Sequence, residues 1–118
     1  MNILTRKQIL DKDDTEKKLV DLTEWWGGAI YVRRISSEAL DMFEIIVQDR
    51  KETNDNTNIR ALIASLTACG EDGALLFSES DIVALGRKSG QALDRIVNAA
   101  LELNPFFTGN YRDELKKN

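Results

Sequence analysis

The chain has 118 residues, a net charge of −4 and no histidine. This length fits one domain and leaves no room for two independent cores. Its hydrophobic share of 42% and charged share of 31% are typical of a soluble globular protein. The 16 basic residues are mixed with 20 acidic ones and form no basic stripe, which argues against a nucleic-acid partner. Without histidine, no Ser-His or Cys-His nucleophile can form, and we expect no metal site.

Further sequence features argue against secretion, membrane insertion and catalysis. Cys69 is the only cysteine and lies among alanine and leucine residues, which predicts a buried, unreactive thiol. No stretch resembles a signal peptide or approaches the ~18 apolar residues of a membrane span. Residues 86–90 contain the ingredients of a phosphate loop in the wrong order, so Ser89 is interpreted as a helix cap. We therefore expect a cytoplasmic protein with no enzymatic activity, cofactor or small-molecule substrate.

The chain is predicted to begin with an N-terminal arm, residues 1–15, that is flexible. Within it, Thr5 can cap a short turn containing Ile9 and Leu10, before a run of charged residues ends the turn. Residues 16–104 are predicted to form a single globular domain, because the periodic apolar patterns fall within this range.

A β-hairpin is predicted over residues 17–34, where apolar and polar residues alternate on both sides of a glycine pair. Gly27 and Gly28 suit the turn, which places Trp25 and Trp26 near the hairpin tip. Adjacent side chains of an extended strand point to opposite faces. One tryptophan is therefore expected to pack inward while the other faces outward.

Helices are predicted after the hairpin from apolar residues at i, i+3 and i+4 spacing. Ser36 is expected to cap the first of them, and residues 78–81 resemble a capping box. Gly70 is expected to close the second helix in left-handed geometry. The predicted helices span about 37–51, 58–69, 79–86 and 90–103. The expected fold class is α+β and mainly helical, with a small N-terminal hairpin packed on a bundle of about four helices.

Aromatic side chains are the strongest candidates for partner binding, because Trp and Tyr dominate interface hot spots. Two adjacent tryptophans are hard to bury together, although both could pack on their own domain. The C-terminal tail, residues 105–118, places aromatic residues in a polar context. They either fold back as a last core segment or form a docking motif that orders on binding. The candidate partner-binding residues are Trp25, Trp26, Tyr31, Phe106, Phe107 and Tyr111.

Several short segments, each ordinary by itself, occur in a characteristic order over roughly residues 16–104. They are residues 26–33, the 36–47 helix with Phe43-Glu44 at its centre, 58–61, the turn Cys69-Gly70-Glu71-Asp72-Gly73, 76–78, 81–89, 92–96 and 101–104. In this order and at this chain length, they resemble the tail assembly chaperones of long-tailed (siphovirus-type) bacteriophages.

The resemblance implies a helix-rich fold with a small hairpin, no catalytic residues and a holdase-like role in the host bacterial cytoplasm. Such proteins bind the tape-measure protein, keep it soluble, help recruit the major tail (tube) protein and tend to self-associate. They are absent from the mature virion. The resemblance transfers no partner-binding position onto a named residue. Two other classes stay open: a small regulatory adaptor, antitoxin- or anti-repressor-like, that binds one folded partner, and a structural virion protein.

Overall fold

The computed structural model describes residues 1–53, 57–105 and 107, and has one small antiparallel sheet beside several helices. In chain order the elements are α1 Arg6–Asp11, β1 Lys17–Asp21, α2 Thr23–Trp26, β2 Ala29–Arg33, α3 Ser37–Thr53, α4 Ile59–Thr67, β3 Ala68–Cys69, a 3-10 turn Glu79–Asp81, α5 Ile82–Leu85 and α6 Gly90–Leu103. The predicted α+β, mainly helical class is confirmed. The division of the chain into an arm, a domain and a tail stays a prediction.

The sheet has the order β1-β2-β3, and both pairs of strands are antiparallel. β1 and β2 form the predicted hairpin, in which Val20 lies opposite Ile30 and Leu19 opposite Tyr31. Val20 and Val32 are buried, and α6 packs on both strands. Because side chains alternate between the faces of a strand, Leu19 and Tyr31 lie on the outer face, away from α6.

The third strand corrects the sequence prediction of a helix over residues 58–69 that closes at Gly70. α4 ends at Thr67, and Ala68–Cys69 is extended and pairs with β2. Sheet pairing satisfies the backbone groups of these two residues, so helix formation has no advantage there. The left-handed glycine of this region is Gly73, at φ +85°, three residues after the predicted position.

The core is centred on α4, which packs against α3 on one side and α6 on the other. Almost every side chain of α4 is buried, so its few polar groups need internal partners. The hydroxyls of Ser65 and Thr67 donate to backbone oxygens of Leu62 and Ile63, at 2.7 and 2.8 Å. The largest fully buried apolar side chains are Phe43, Phe107, Leu22, Leu62, Ile63, Leu93, Ile96, Val32 and Val97.

Side-chain caps fix where the helices begin. The Ser36 hydroxyl accepts from the Ala39 N–H at 3.1 Å, and the Ser89 hydroxyl accepts from the Ala92 N–H at 3.3 Å. The predicted capping box is present at Ser78, although it opens a 3-10 turn that leads into α5. These caps confirm that Ser89 has the structural role of a helix cap.

Asn104 is buried at the end of α6 and joins that helix to the connection between β2 and α3. Its side-chain Nδ2 donates to the oxygens of Ala100 and Arg33, at 2.9 and 3.3 Å. Its Oδ1 accepts from the Ile35 N–H at 3.0 Å. Because both ends of the amide are used, this side chain holds β2, the β2–α3 connection and α6 together.

Candidate partner-binding surfaces

The hairpin tip, defined as Thr23–Gly28, is a helical turn and not the extended segment expected from the sequence. The backbone N–H groups of Trp25 and Trp26 both donate to the Leu22 oxygen, at 3.1 and 2.8 Å. Gly27 ends the turn in left-handed geometry, at φ +78°, where a side chain would be strained. The extended geometry from which the orientation of the two tryptophans was predicted is therefore wrong, although one ring does pack inward and the other is exposed.

The two tryptophans lie in different environments. Trp25 is half-buried and packs against the core, and the guanidinium carbon of Arg95 lies 4.7 Å from its ring centroid. Arg95 also donates to the backbone oxygen of Asp21 at 3.1 Å, so α6 holds this ring by a cation–π contact. Trp26 retains 40% of its surface exposure. Of the pair, Trp26 is the side chain available to a partner.

Asp21 helps to hold the turn at the start of the hairpin tip. Its Oδ1 accepts from the Thr23 backbone N–H at 2.9 Å. Hydrogen bonds from the Thr23 side chain and backbone lower the pKa of Asp21 below its ordinary value. Desolvation raises this pKa slightly, and the positive charge of Arg95 lowers it. Hydrogen bonds to the ionised form favour that form, so the carboxylate stabilises the tip when it is charged.

Tyr31 lies on the outer face of the sheet, beside Leu19 of β1. Leu19 is 58% exposed, and the Lys17 ammonium lies 5.3 Å from the Tyr31 ring centroid. This face points away from α6, whereas Trp25 contacts α6. The structure therefore places Tyr31 and Trp25 on opposite sides of the sheet and does not combine them in one site.

Cys69 lies next to Tyr31 across the β2–β3 pair and is fully buried. Burial raises the pKa of its thiol, because it disfavours the thiolate. The sequence prediction of a buried thiol is confirmed, and the raised pKa fits an unreactive one.

The aromatic residues of the tail are described only at Phe107. Its side chain is fully buried, and its ring centroid lies 4.7 Å from that of Phe43 with the rings tilted by 52°. Phe107 thus packs as a core residue, and it would have to leave this position to contact a partner. Phe106 and Tyr111 lie outside the described residues.

An apolar groove beside α3, which the sequence reasoning missed, is a further candidate surface. This α3 groove has a volume of about 340 Å³. Its principal apolar lining residues are Met42, Ile46, Leu66, Leu75, Phe77 and Ile82. Met42 and Leu75 are 39% and 37% exposed, so the groove opens to the surface. Two features of the sequence could have indicated this groove. They are Met42, next to the predicted buried stripe of α3, and the apolar run of residues 75–77 between two helices.

The charged residues that line the α3 groove are mostly acidic. Glu38 and Glu79 are exposed and contribute to its lining. Arg33 also lines the groove, but its Nη1 donates to the Gly73 oxygen at 2.7 Å. An apolar segment that carries positive charge would therefore complement this surface.

Two other kinds of site are absent from the residues that the structure describes, 1–53, 57–105 and 107. In this part of the chain, no group of acidic and cysteine side chains is arranged to hold a metal ion. None of its helices is both long enough and apolar enough to cross a membrane.

Comparison with known proteins identifies the class. A sequence profile described as phage tail assembly chaperone matches residues 5–118, nearly the whole chain. The chain therefore belongs to the phage tail assembly chaperone family. Among solved structures, the tail assembly chaperone of bacteriophage HK97 matches with a TM-score of 0.59 and 23% sequence identity, over 82% of this chain and 90% of that chain. This likeness shows a shared fold. No curated protein matches the sequence.

Proposed function

We propose that this chain binds the tape-measure protein of its phage, keeps it soluble and helps recruit tail-tube subunits during virion morphogenesis. The observation that carries the proposal is the family match over residues 5–118. In this proposal the chain acts in the host cytoplasm and leaves before the virion is mature. A regulatory adaptor has no comparable support.

The hairpin tip is the proposed contact for the tape-measure protein. Trp26 is exposed, and a large aromatic side chain buries much apolar area when a partner covers it. The neighbouring Trp25 is fixed by Arg95, so the turn that carries Trp26 is anchored before binding. A preorganised aromatic anchor loses little conformational entropy on association, which favours affinity. Tyr31 on the outer sheet face is proposed as a second contact, together with Phe106 and Tyr111 of the tail.

The test compares binding of two single variants to the purified tape-measure protein. Trp26→Ala removes the exposed anchor, while Val83→Ala shortens another apolar side chain, 69% exposed on α5, and is the matched control. We expect Trp26→Ala to weaken binding at least about tenfold, the usual scale for a truncated hot spot, and Val83→Ala to bind like the unmodified chain. Thermal melts of both variants establish that the fold is intact.

The possible outcomes distinguish an error in the proposed contact surface from an error in the proposed function. If the unmodified chain binds and Trp26→Ala binds equally well, the contact lies elsewhere, although the function stands. If the unmodified chain does not bind, the proposed function is wrong. Recruitment is tested by adding the major tail protein to the preformed complex. A ternary complex supports this step, and its absence contradicts it.

A further inference from the structure

The strand β1 lies at an open edge of the sheet. In the order β1-β2-β3 it pairs with β2 on one side, and no strand of the described residues lies on its other side. β1 has five residues, and four of their side chains are exposed. The opposite edge, β3, has only two residues, and Cys69 pairs there with Leu75. The β1 edge is therefore the long edge at which another strand could be added.

The hairpin register shows which backbone groups of β1 point to this edge. At one end of the ladder the Arg34 N–H donates to the Glu16 oxygen at 2.9 Å. At the other end the Leu22 N–H donates to the Gly28 oxygen, also at 2.9 Å. Hydrogen-bonded residues alternate along an antiparallel strand, so the even-numbered residues of β1 bond to β2. The odd-numbered residues direct their N–H and C=O groups to the open edge, and they are Lys17, Leu19 and Asp21.

Most of these outward groups have no partner in the protein. Arg95 donates to the Asp21 oxygen at 3.1 Å, which occupies the end of the edge next to the hairpin tip. The other outward groups are three N–H and two C=O groups, and none has a hydrogen-bond partner among the described residues. Donors and acceptors in this spacing match the backbone of a second extended strand.

The side chains at the edge define which strand would fit. Leu19 is 58% exposed and lies beside Tyr31 on the outer face of the sheet. Lys18 is paired with Glu102, whereas the Lys17 ammonium contacts an uncharged backbone oxygen and the Tyr31 ring. Lys17 therefore keeps its charge for a partner. Opposite charges on neighbouring strands stabilise a sheet, so an acidic residue suits the position across from Lys17.

We propose that the β1 edge binds an extended segment of a partner protein as an added antiparallel strand, with an apolar residue opposite Leu19 and an acidic residue opposite Lys17. Backbone hydrogen bonds supply the affinity, and the two side-chain positions supply the selectivity. The antiparallel direction is favoured because its pairing is slightly more stable per residue. The inference goes beyond the proposed function, because it does not require the tape-measure protein to be the partner and does not involve Trp26.

A synthetic peptide with blocked ends, Lys-Val-Val-Thr-Glu, is the probe for the full chain. Its first residue would lie opposite Asp21 and its last opposite Lys17. Saturating peptide is expected to slow amide hydrogen exchange at least about threefold at the outward N–H groups of Lys17, Leu19 and Asp21. The N–H groups of Lys18 and Val20 already bond to β2, so their exchange should not change. Solvent-exchange NMR measures each of these rates.

Two N-methylated forms of the peptide test whether backbone hydrogen bonds carry the binding. Methylation of the third residue blocks an N–H that would face β1, and we expect it to weaken binding at least about fivefold. Methylation of the second residue adds the same group to an N–H that would face away from β1. This form is the matched control and should bind like the parent peptide.

Variants of the chain test the same contact from the other side. Leu19→Pro removes an outward N–H that the fold does not use, and edge strands tolerate proline at such positions. Leu19→Val keeps the N–H and is the matched control. We expect the first variant to lose peptide binding at least about tenfold and the second to bind within about twofold of the unmodified chain. Thermal melts check folding, and the methylated peptides decide the matter if Leu19→Pro does not fold.

A charge exchange tests the selectivity. Lys17→Glu should weaken binding of the peptide about two- to fivefold, because it places two carboxylates across from each other. A peptide that ends in lysine instead of glutamate should recover most of this loss. If both peptides bind the variant equally, the charge of Lys17 does not select the segment and this part of the proposal is wrong.

Four results would overturn strand addition at β1. They are no binding of the parent peptide, equal binding of the two methylated peptides, exchange protection that appears along the α3 groove and not at β1, and outward N–H groups that are protected in the free chain and lose protection on dilution. The last result would show that a second copy covers the edge. None of these results bears on the proposed function, which is tested with the unmodified chain and the tape-measure protein.

Discussion

Two helices of this protein, α4 and α1, differ in what supports them. Each begins at a side-chain cap, Asn58 for α4 and Thr5 for α1. Almost all of α4 is buried between α3 and α6, whereas α1 has no buried residue. The comparison shows that a cap determines where a helix begins, while burial determines how much of the protein depends on it.

Changes in the core should therefore unfold the molecule, and changes in α1 should leave global stability intact. The same contrast separates Trp25, which packs on the core, from Trp26, which is exposed. The following predictions test it in order of decreasing effect.

The largest effect is expected for Phe107→Ala. This ring is fully buried against Phe43, so its removal leaves a cavity and should cost about 3–5 kcal/mol of unfolding free energy. Urea unfolding measures the loss. Ile45→Ala, at a position that is 68% exposed, is the control and should change stability by less than about 0.5 kcal/mol. A loss below about 1 kcal/mol would show that the Phe107 ring does not belong to the core.

Replacement of Asn104 by Ala should have the next largest effect. The change leaves the Ile35 N–H without its acceptor and removes the contacts to Ala100 and Arg33. An unsatisfied buried group costs about 1–3 kcal/mol, and we expect a destabilisation in this range. Hydrogen exchange should also accelerate at Ile35 beyond the global change. If the exchange rate of the Ile35 N–H does not change, the side-chain amide of Asn104 does not hold the β2–α3 connection.

A smaller, pH-dependent effect is expected for Asp21→Asn. The pKa of Asp21 is lower in the folded state than in the unfolded state. The Asp21 carboxylate therefore stabilises the fold at pH values above its unfolded pKa of about 3.9, and this stabilisation is lost as the pH falls through its folded pKa. The variant should be less stable than the unmodified chain at neutral pH, and the two should converge in acid. Urea unfolding across this pH range measures the difference. A constant difference at all pH values would exclude the charge of Asp21 as its source.

The smallest global effect is expected for Thr5→Ala. Removing an N-cap costs about 1 kcal/mol in the helix that it begins, but α1 has no buried residue through which to transmit this loss. Global unfolding free energy should change by less than about 0.5 kcal/mol, while amide exchange within α1 becomes faster. Ser89→Ala, at the cap of the packed helix α6, is the contrasting variant and should lower global stability. Equal global losses for both variants would contradict the comparison.

Local sequence patterns predicted much of this fold, because strand alternation, helical spacing and helix caps depend on residues that lie close together in the chain. Alternation of apolar residues identified the hairpin, helical spacing identified the stripe with Phe43, and Ser36 and Ser89 were identified as caps. The break between α4 and β3 was missed, since Ala68 and Cys69 are extended only because β2 lies beside them. Sheet pairing of this kind is long-range and leaves no periodic signal in two residues.

The candidate surfaces were predicted less well. The helical turn at Trp25 and Trp26 depends on both of their N–H groups reaching the Leu22 oxygen, which composition did not indicate. The burial of Phe107 was left open, because a short aromatic tail can dock on its own core or on a partner. The α3 groove was missed because its walls come from segments far apart in the chain.

The most direct test of the account is co-expression of this chain with the tape-measure protein of its phage, scored by the fraction of that partner recovered soluble. The account predicts that the partner precipitates alone, stays soluble with this chain and co-purifies with it. Unchanged solubility and no co-purification would contradict the proposed function.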